Sequence, residues 1–202
     1  VTQEPLIAHM RLQFWREVIA LEDPRAHEVA APLQALVRAG LPLMPLQRMI
    51  DAREVEIGTK APFADDSALW DYLDGTAGAL MQASVLALGG PQSPAAGGCG
   101  AAQGLANYLL AIPALQAAGR LPLPDGRPEA VAALAREGLA RLAGARVGLR
   151  GLPRAALLAG WRAAPLLKQA ALAPGRVGEG TLGQSEFARR GGLLWQTLRG
   201  TL

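Results

Sequence analysis

Residues 75–119 read GTAGALMQASVLALGGPQSPAAGGCGAAQGLANYLLAIPALQAAG, 45 residues without an Asp, Glu, Lys, Arg or His. Gly89-Gly90-Pro91, Ser93-Pro94, Gln103, Asn107 and Pro113 interrupt the run before about 20 consecutive apolar residues can span a bilayer. The stretch therefore reads as parts of two helices buried at the centre of a soluble bundle. The first is expected from about Ser67, capped by Asp65, Asp66 or Ser67, to Leu88. A Gly-, Pro- and Ala-rich loop follows from Gly89 to Gly100. The second is expected from Ala101 to Ala118, kinked or broken near Pro113.

Helical spacing continues outward on both sides. Pro5 suits a helix start, and Ile7, Met10, Phe14, Val18 and Leu21 recur at steps of three and four, ending before Asp23-Pro24. A second helix is predicted from His27 to Ala39, with Val29, Leu33, Leu36 and Val37 inward and Gly40 as its stop. A third, from Leu43 to Ile57, places Leu46, Met49, Ile50 and Ile57 on one side. Segments from Arg127 to Arg146, Leu152 to Ala173 and Gly183 to Arg199 complete about eight helices. Runs of period two rich in Val, Ile and Thr are missing, so the predicted fold is all-α, one domain over residues 1–202.

Rare residues exclude whole classes of chemistry. One cysteine, Cys99, rules out an internal disulfide framework and Cys-rich metal sites. His9 and His27 are the two histidines, too few for a histidine-built metal centre. Neither Lys60 nor Lys168 follows a glycine-rich turn, which removes a Walker-type nucleotide loop. Gly178-Glu179-Gly180-Thr181-Leu182-Gly183 matches a dinucleotide fingerprint in letters alone, since no strand precedes it. Ser67, Ser84, Ser93 and Ser185 lie in no nucleophile elbow, and the chain, which opens on Val1, shows no leader pattern.

Charge is split along the chain. Residues 1–119 carry 7 basic and 12 acidic side chains, whereas residues 120–202 carry 13 basic and 5 acidic, net +8. Between Glu137 and Glu179 there is no acid, while Arg141, Arg146, Arg150, Arg154, Arg162, Lys168 and Arg176 all fall inside. Such a segment suits an anionic membrane or protein surface. Arg146 and Arg150 stand one turn apart, ahead of Leu157, Leu158, Trp161, Leu166 and Leu167, a basic amphipathic pattern. Trp161 is the one aromatic residue in the acid-free stretch, which argues against stacking on nucleic acid.

Three ordered stretches carry a family resemblance. They are Met10-Arg11-Leu12-Gln13-Phe14-Trp15-Arg16-Glu17; Ile50-Asp51-Ala52-Arg53-Glu54-Val55-Glu56 with Leu69-Trp70-Asp71-Tyr72-Leu73-Asp74-Gly75-Thr76-Ala77-Gly78-Ala79-Leu80-Met81; and Ala102 to Pro113, closing at Gly119-Arg120-Leu121-Pro122-Leu123-Pro124. In order and spacing, residues 5–125 resemble the squalene/phytoene synthase superfamily. The resemblance implies an isoprenoid synthase-like helical bundle. In active members, two aspartate-rich motifs hold prenyl diphosphates through Mg²⁺, which takes oxygen ligands and neutralises the departing diphosphate.

The second motif of those enzymes runs from an asparagine through an arginine three places on to Asp-x-x-Glu-Asp, then a basic turn and a proline. Its asparagine falls on Asn107 and its proline on Pro124; the arginine position is Leu110, and the carboxylate positions are Ala111, Ala114 and Leu115. The first motif belongs before Arg11, so the chain is expected to be N-terminally truncated relative to the family, lacking N-terminal helices. The Arg11 to Trp15 run, the Ala102 to Gly104 run and Ala111 with Pro113 resemble the synthase-like assembly factor of respiratory complex I. That branch implies a pseudoenzyme with no catalytic residue, no metal ligand and no cofactor. Its partner is a protein in respiratory-complex biogenesis. Its place is the bacterial cytoplasm, peripheral at the inner membrane, or the matrix of a mitochondrion.

Alternatives remain open at this level. One is a Mg²⁺-dependent head-to-head prenyl-diphosphate synthase with substitute ligands, for which Asp51, Glu54 and Glu56 are candidates; Asp51 and Glu54 share a helix face. Another is an isoprenoid- or lipid-binding module that kept a cavity. Arg11, Arg16, Arg48 and Arg53 would form a phosphate-binding cluster if their helices meet, and solvated ion pairs if they do not. Candidate anionic-surface residues are Arg11, Arg48, Arg53, Arg146, Arg150 and Arg154.

Overall fold

The computed structural model describes residues 4–21 and 27–199. Helices α1 (Pro5–Ala20), α2 (Ala30–Arg38) and α3 (Leu43–Ala52) come first, followed by a 3₁₀ turn, Arg53–Glu56. Then come α4 (Asp66–Leu73), α5 (Ala79–Ala87), α6 (Pro94–Ala117) and α7 (Pro128–Ala145). The C-terminal part holds the single turns α8 (Arg154–Leu157) and α10 (Gly175–Gly178), with α9 (Ala163–Leu172) and α11 (Glu186–Arg199). No strand occurs among the described residues, and no helix there is long and apolar enough to cross a membrane. The all-α expectation stands.

The charge-free stretch does form the centre. Helix α6 packs on α4–α5 along one side and on α7 and α9 along the other. Leu69, Leu73, Leu105, Leu109, Ile112, Leu166 and Leu167 are fully buried there. Burial of each is worth about 1.5–3 kcal/mol. Glycines set the α5–α6 distance. A Cβ on Gly100 would lie 2.5 Å from the Ala77 carbonyl oxygen and 2.6 Å from Met81 Cβ, and one on Gly104 would lie 2.6 Å from Ala77 Cβ.

Helix α6 begins seven residues before the predicted Ala101. Ser93 caps it, its Oγ accepting the Ala96 amide at 3.3 Å, and Pro94 occupies the first turn. The helix runs on through Pro113 unbroken to Ala117. Between α4 and α5 the chain makes a π-helical turn, Asp74–Gly78, where the sequence predicts plain helix. Thr76 lies in this turn, its hydroxyl donating to the Tyr72 carbonyl at 2.6 Å. Asp65 caps α4 by accepting the Ala68 amide at 2.8 Å.

Other departures are local. The third helix tightens to 3₁₀ geometry at Arg53 instead of continuing to Ile57, and the segment Leu152–Ala173 breaks into α8, a 3₁₀ turn Leu158–Gly160 and α9. In α1 the buried residues are Val18 and Ile19, in its last turns, while Ile7 and Met10 are exposed. Helix α1 ends at Ala20 with Leu21 as its left-handed C-cap at φ 61°, so it stops ahead of Asp23-Pro24 as the sequence predicts. Helix α2 starts at Ala30, after His27 Nδ1 accepts the Val29 amide at 3.1 Å and the Ala30 amide at 3.3 Å. Val29 and Leu36 are exposed rather than inward, and Gln34 is buried instead, its Nε2 donating to the Val18 carbonyl at 3.2 Å.

Candidate functional site

The positions where a synthase of this fold would place metal ligands lie along one side of α6. Asn107 and Ala114 are exposed, and Leu110, Ala111 and Leu115 are half-buried. At helical spacing they form a stripe centred on the side of α6 away from Leu105, Leu109 and Ile112. The neutral Asn107 amide is the one side-chain oxygen at these positions and the other four side chains are hydrocarbon, so the donor set does not fit Mg²⁺. Elsewhere among the described residues, no group of three or more His, Cys, Asp or Glu side chains is arranged to hold a metal ion.

The acids weighed as replacement ligands are engaged by arginines. Arg16 on α1 donates to Asp51 at 2.9 Å and to Glu54 at 2.6 Å. Those two hydrogen bonds raise the Arg16 pKa above its ordinary value. Glu56 receives Arg53 at 3.1 Å and the Tyr72 hydroxyl at 2.9 Å, with Arg120 at 3.5 Å. Asp74 is held by Arg141 at 3.2 Å. Asp71 is exposed. Ionised carboxylates inside such pairs would have to give up an arginine before taking a metal.

Around Glu56 the structure builds a polar knot that the sequence does not announce. Arg53 also donates to the Tyr72 hydroxyl at 2.8 Å, and Arg120 donates to the Glu56 carbonyl at 3.0 Å. Tyr108 donates to the Pro122 carbonyl at 3.0 Å. The rings of Phe63, Tyr72 and Tyr108 pack with centroids 5.1, 6.0 and 6.3 Å apart. Burial raises both phenols, with nearby Glu56 adding to it: Tyr108 to about 12 and Tyr72 above the usual tyrosine range, although Arg53 and Arg120 pull the other way. Both phenols therefore stay protonated near neutral pH and serve as donors. The Gly-Arg-Leu-Pro-Leu-Pro run thus anchors the end of α6 onto α4 and the 3₁₀ turn.

The six candidate arginines do not converge. Arg53 is committed to Glu56 and Tyr72. Arg11 on α1 and Arg48 on α3 are exposed, with no ion pair among the described residues. Helices α1 and α3 do meet, yet Arg16 fills their contact with an arginine–carboxylate bridge instead of an open phosphate cluster. Arg146 lies in the 3₁₀ turn Arg146–Leu149, Arg150 just after it and Arg154 at the start of α8, all three exposed. Cys99 is buried, and burial pushes its thiol up to about 11, which removes it as a nucleophile. Sequence reasoning missed Arg141, whose guanidinium lies 3.7 Å from the centroid of Trp70 while bonding Asp74 and Glu137.

A cleft of about 210 Å³ opens beside the C-terminal part of α6. Ile112 and Gln116 of α6 line it with Leu123, Val131 of α7 and Val177 of α10. Its named side walls are apolar apart from Gln116, a surface for hydrocarbon rather than for diphosphate.

Residues 1–127 match the sequence model of the family described as Squalene/phytoene synthase. No curated protein and no solved structure matches the chain. The matched span takes in α1 to α6, the Glu56 knot and the Arg120 to Pro124 anchor, and on that match the chain belongs to the squalene/phytoene synthase family.

Proposed function

We propose that this chain is a non-catalytic member of its family that works by binding, in the assembly of respiratory complex I (NADH:quinone oxidoreductase). The observation that carries the reading is the stripe Leu110, Ala111, Ala114 and Leu115, which offers hydrocarbon where the chemistry of prenyl transfer needs carboxylates. The Arg-Leu-Gln-Phe-Trp run at 11–15 and the Ala-Gln-Gly run at 102–104 support the complex I assignment, through their resemblance to the synthase-like assembly factor. The protein would act at the cytoplasmic face of a bacterial inner membrane, or on the matrix side of a mitochondrion. Its partner would be a protein of the respiratory complex.

Deletion of the gene with complementation tests this directly. The reading predicts loss of assembled complex I, seen as in-gel NADH dehydrogenase activity, restored by the wild-type chain. Normal complex I in the deletion strain contradicts it. A second reading, an isoprenoid- or lipid-binding module, is favoured by the apolar cleft beside Ile112. It predicts retention of a prenyl alcohol by the purified protein, and loss of that retention in Val131→Trp.

A further inference from the structure

Residues 145–157 cross the α5–α6 turn as a strap. Ala145, Leu152, Ala156 and Leu157 are buried, the last three in one cluster with Met81 and Val85 of α5 and Ala96 of α6, and Leu149 packs on that cluster. Two glycines let the strap lie this close. A Cβ on Gly148 would stand 2.6 Å from Ala95 Cβ, and one on Gly90 would stand 2.6 Å from Pro153 Cδ. The Arg150 amide donates to the Val147 carbonyl at 3.4 Å and the Leu152 amide to the Leu149 carbonyl at 3.3 Å, which closes the turns between the anchors. With its larger apolar side chains pinned inward, the strap holds Arg146, Val147 and Arg150 at the surface. Both arginines are exposed, and Val147 is 74% exposed.

The surroundings give these arginines no counter-charge. The strap packs on α5, α6 and the end of α7. Residues 75–124, which take in α5 and α6, hold no acid, and neither do residues 138–178, which take in the end of α7, the strap and α9. Arg141, just ahead of the strap, reaches Asp74 and Glu137, whereas Arg146 and Arg150 make no ion pair among the described residues. The first turn of α6, next to Gly148, adds the positive end of a 24-residue helix.

Two fixed guanidiniums on either side of an exposed valine are complementary to carboxylates flanking an apolar side chain, because the planar fork of arginine pairs with carboxylate at both oxygens. A single valine is too little apolar surface to hold a bilayer, and the strap has no aromatic ring to stack on a base. A second copy is a poor occupant, since its Asp51, Glu54, Glu56 and Asp74 are already held by arginines.

We propose that the strap 145–157 is a docking surface for an acidic segment of a partner protein, whose carboxylates pair with Arg146 and Arg150 and whose apolar side chain covers Val147. This deepens the binding reading above and rests on it for the partner being a protein. It does not depend on that partner belonging to complex I.

The test is fluorescence anisotropy of the full chain at low salt with a labelled peptide, Glu-Glu-Leu-Glu-Glu between Gly-Ser ends, beside the same peptide with Gln for Glu. Binding of the acidic peptide is expected, about tenfold weaker for the Gln peptide and in R146E/R150E. R38E/R136E makes the same change of net charge at exposed arginines of α2 and α7, and is expected to bind like the wild type. V147S is expected to lose about threefold with the Leu peptide and nothing with a peptide carrying Ser for Leu. Circular dichroism checks that each variant keeps its fold. The proposal is overturned if the wild type does not prefer the acidic peptide, or if R38E/R136E weakens binding as much as R146E/R150E, which would leave net charge alone. Competition for the peptide by phosphatidylglycerol vesicles or single-stranded DNA at lower concentration than by unlabelled peptide also overturns it, giving the surface to lipid or nucleic acid. So does a dimer that R146E/R150E dissolves without any peptide binding. Normal complex I in the deletion strain would sink the assembly reading and leave the peptide result standing. Loss of complex I in that strain, fully restored by R146E/R150E, would overturn the docking surface and leave the assembly reading intact.

Discussion

Gly100 and Gly98 sit two residues apart in the same helix and should respond in opposite directions to alanine. At Gly100 a methyl group meets the Ala77 carbonyl at 2.5 Å and Met81 at 2.6 Å, so Gly100→Ala must push α6 away from α5. The expected loss is about 1–3 kcal/mol, read as a fall in midpoint in urea denaturation. At Gly98 nothing lies within 4 Å, and Gly98→Ala should gain about 0.5–1 kcal/mol from helix propensity alone. In the sequence both residues look like loop glycines. What distinguishes them is the partner backbone, which one chain read in order does not show. Glu56 makes the same point with charge. It gathers Arg53 and Tyr72 from nearby and Arg120 from 64 residues away. Glu56→Ala leaves the buried Tyr72 hydroxyl without its carboxylate acceptor and removes the ion pairs to Arg53 and Arg120, and a loss of about 1–3 kcal/mol in thermal or urea unfolding is expected.

Helix α6 and its neighbours were legible as helices because apolar spacing and caps are local signals. Their ends were less so. Ser93-Pro94 caps α6, but in the sequence the pair reads as an interruption within a Gly-, Pro- and Ala-rich loop, because the glycines that follow are poor helix formers. The π turn at Asp74–Gly78 follows from packing, with Gly78 close to the Gly97 carbonyl, and leaves no periodicity to read. The contact between α4 and α6 carries its own test, since Tyr72 and Tyr108 are the two tyrosines of the chain. Burial raises both phenols in the folded state, so the unfolded chain releases those protons first, near pH 10. Stability is therefore expected to hold below about pH 10 and to fall as pH rises above it. Absorbance at 295 nm should show no phenolate in the native protein at pH 10. Normal tyrosine titration with the fold intact would show that the knot around Glu56 is open to water. Tyr72→Phe should halve the tyrosine signal and, by removing the α4 hydroxyl that joins Arg53 and Glu56, weaken the α4 anchorage.

For the molecule as a whole, the sequence disclosed the all-α architecture, the family and the uneven charge. It could not disclose how the acids of the N-terminal half are used. Arg16 reaches Asp51 and Glu54 across 35 and 38 residues, and Arg141 reaches Asp74 across 67, so carboxylates that look available for metal are engaged by distant arginines. Under the non-catalytic reading proposed above, the core is what lets the scaffold stand without the metal motif. Leu105, Leu109 and Ile112 point into the bundle and hold α6 in place, whereas Asn107, Ala111 and Ala114 lie on its other side and contribute little to that core. Substitutions on that stripe should therefore leave the fold standing, and Leu109→Ala should cost about 2–5 kcal/mol where Ala114→Ser is near neutral in the same unfolding assay. The central claim is that this scaffold no longer carries out prenyl transfer. It is tested most directly by Mg²⁺-dependent diphosphate release from farnesyl and geranylgeranyl diphosphate, with an active synthase run alongside. Release at the no-enzyme background by folded protein is the predicted result; sustained Mg²⁺-dependent turnover would contradict it and direct attention to Asp51 and Glu54 as ligands freed from Arg16.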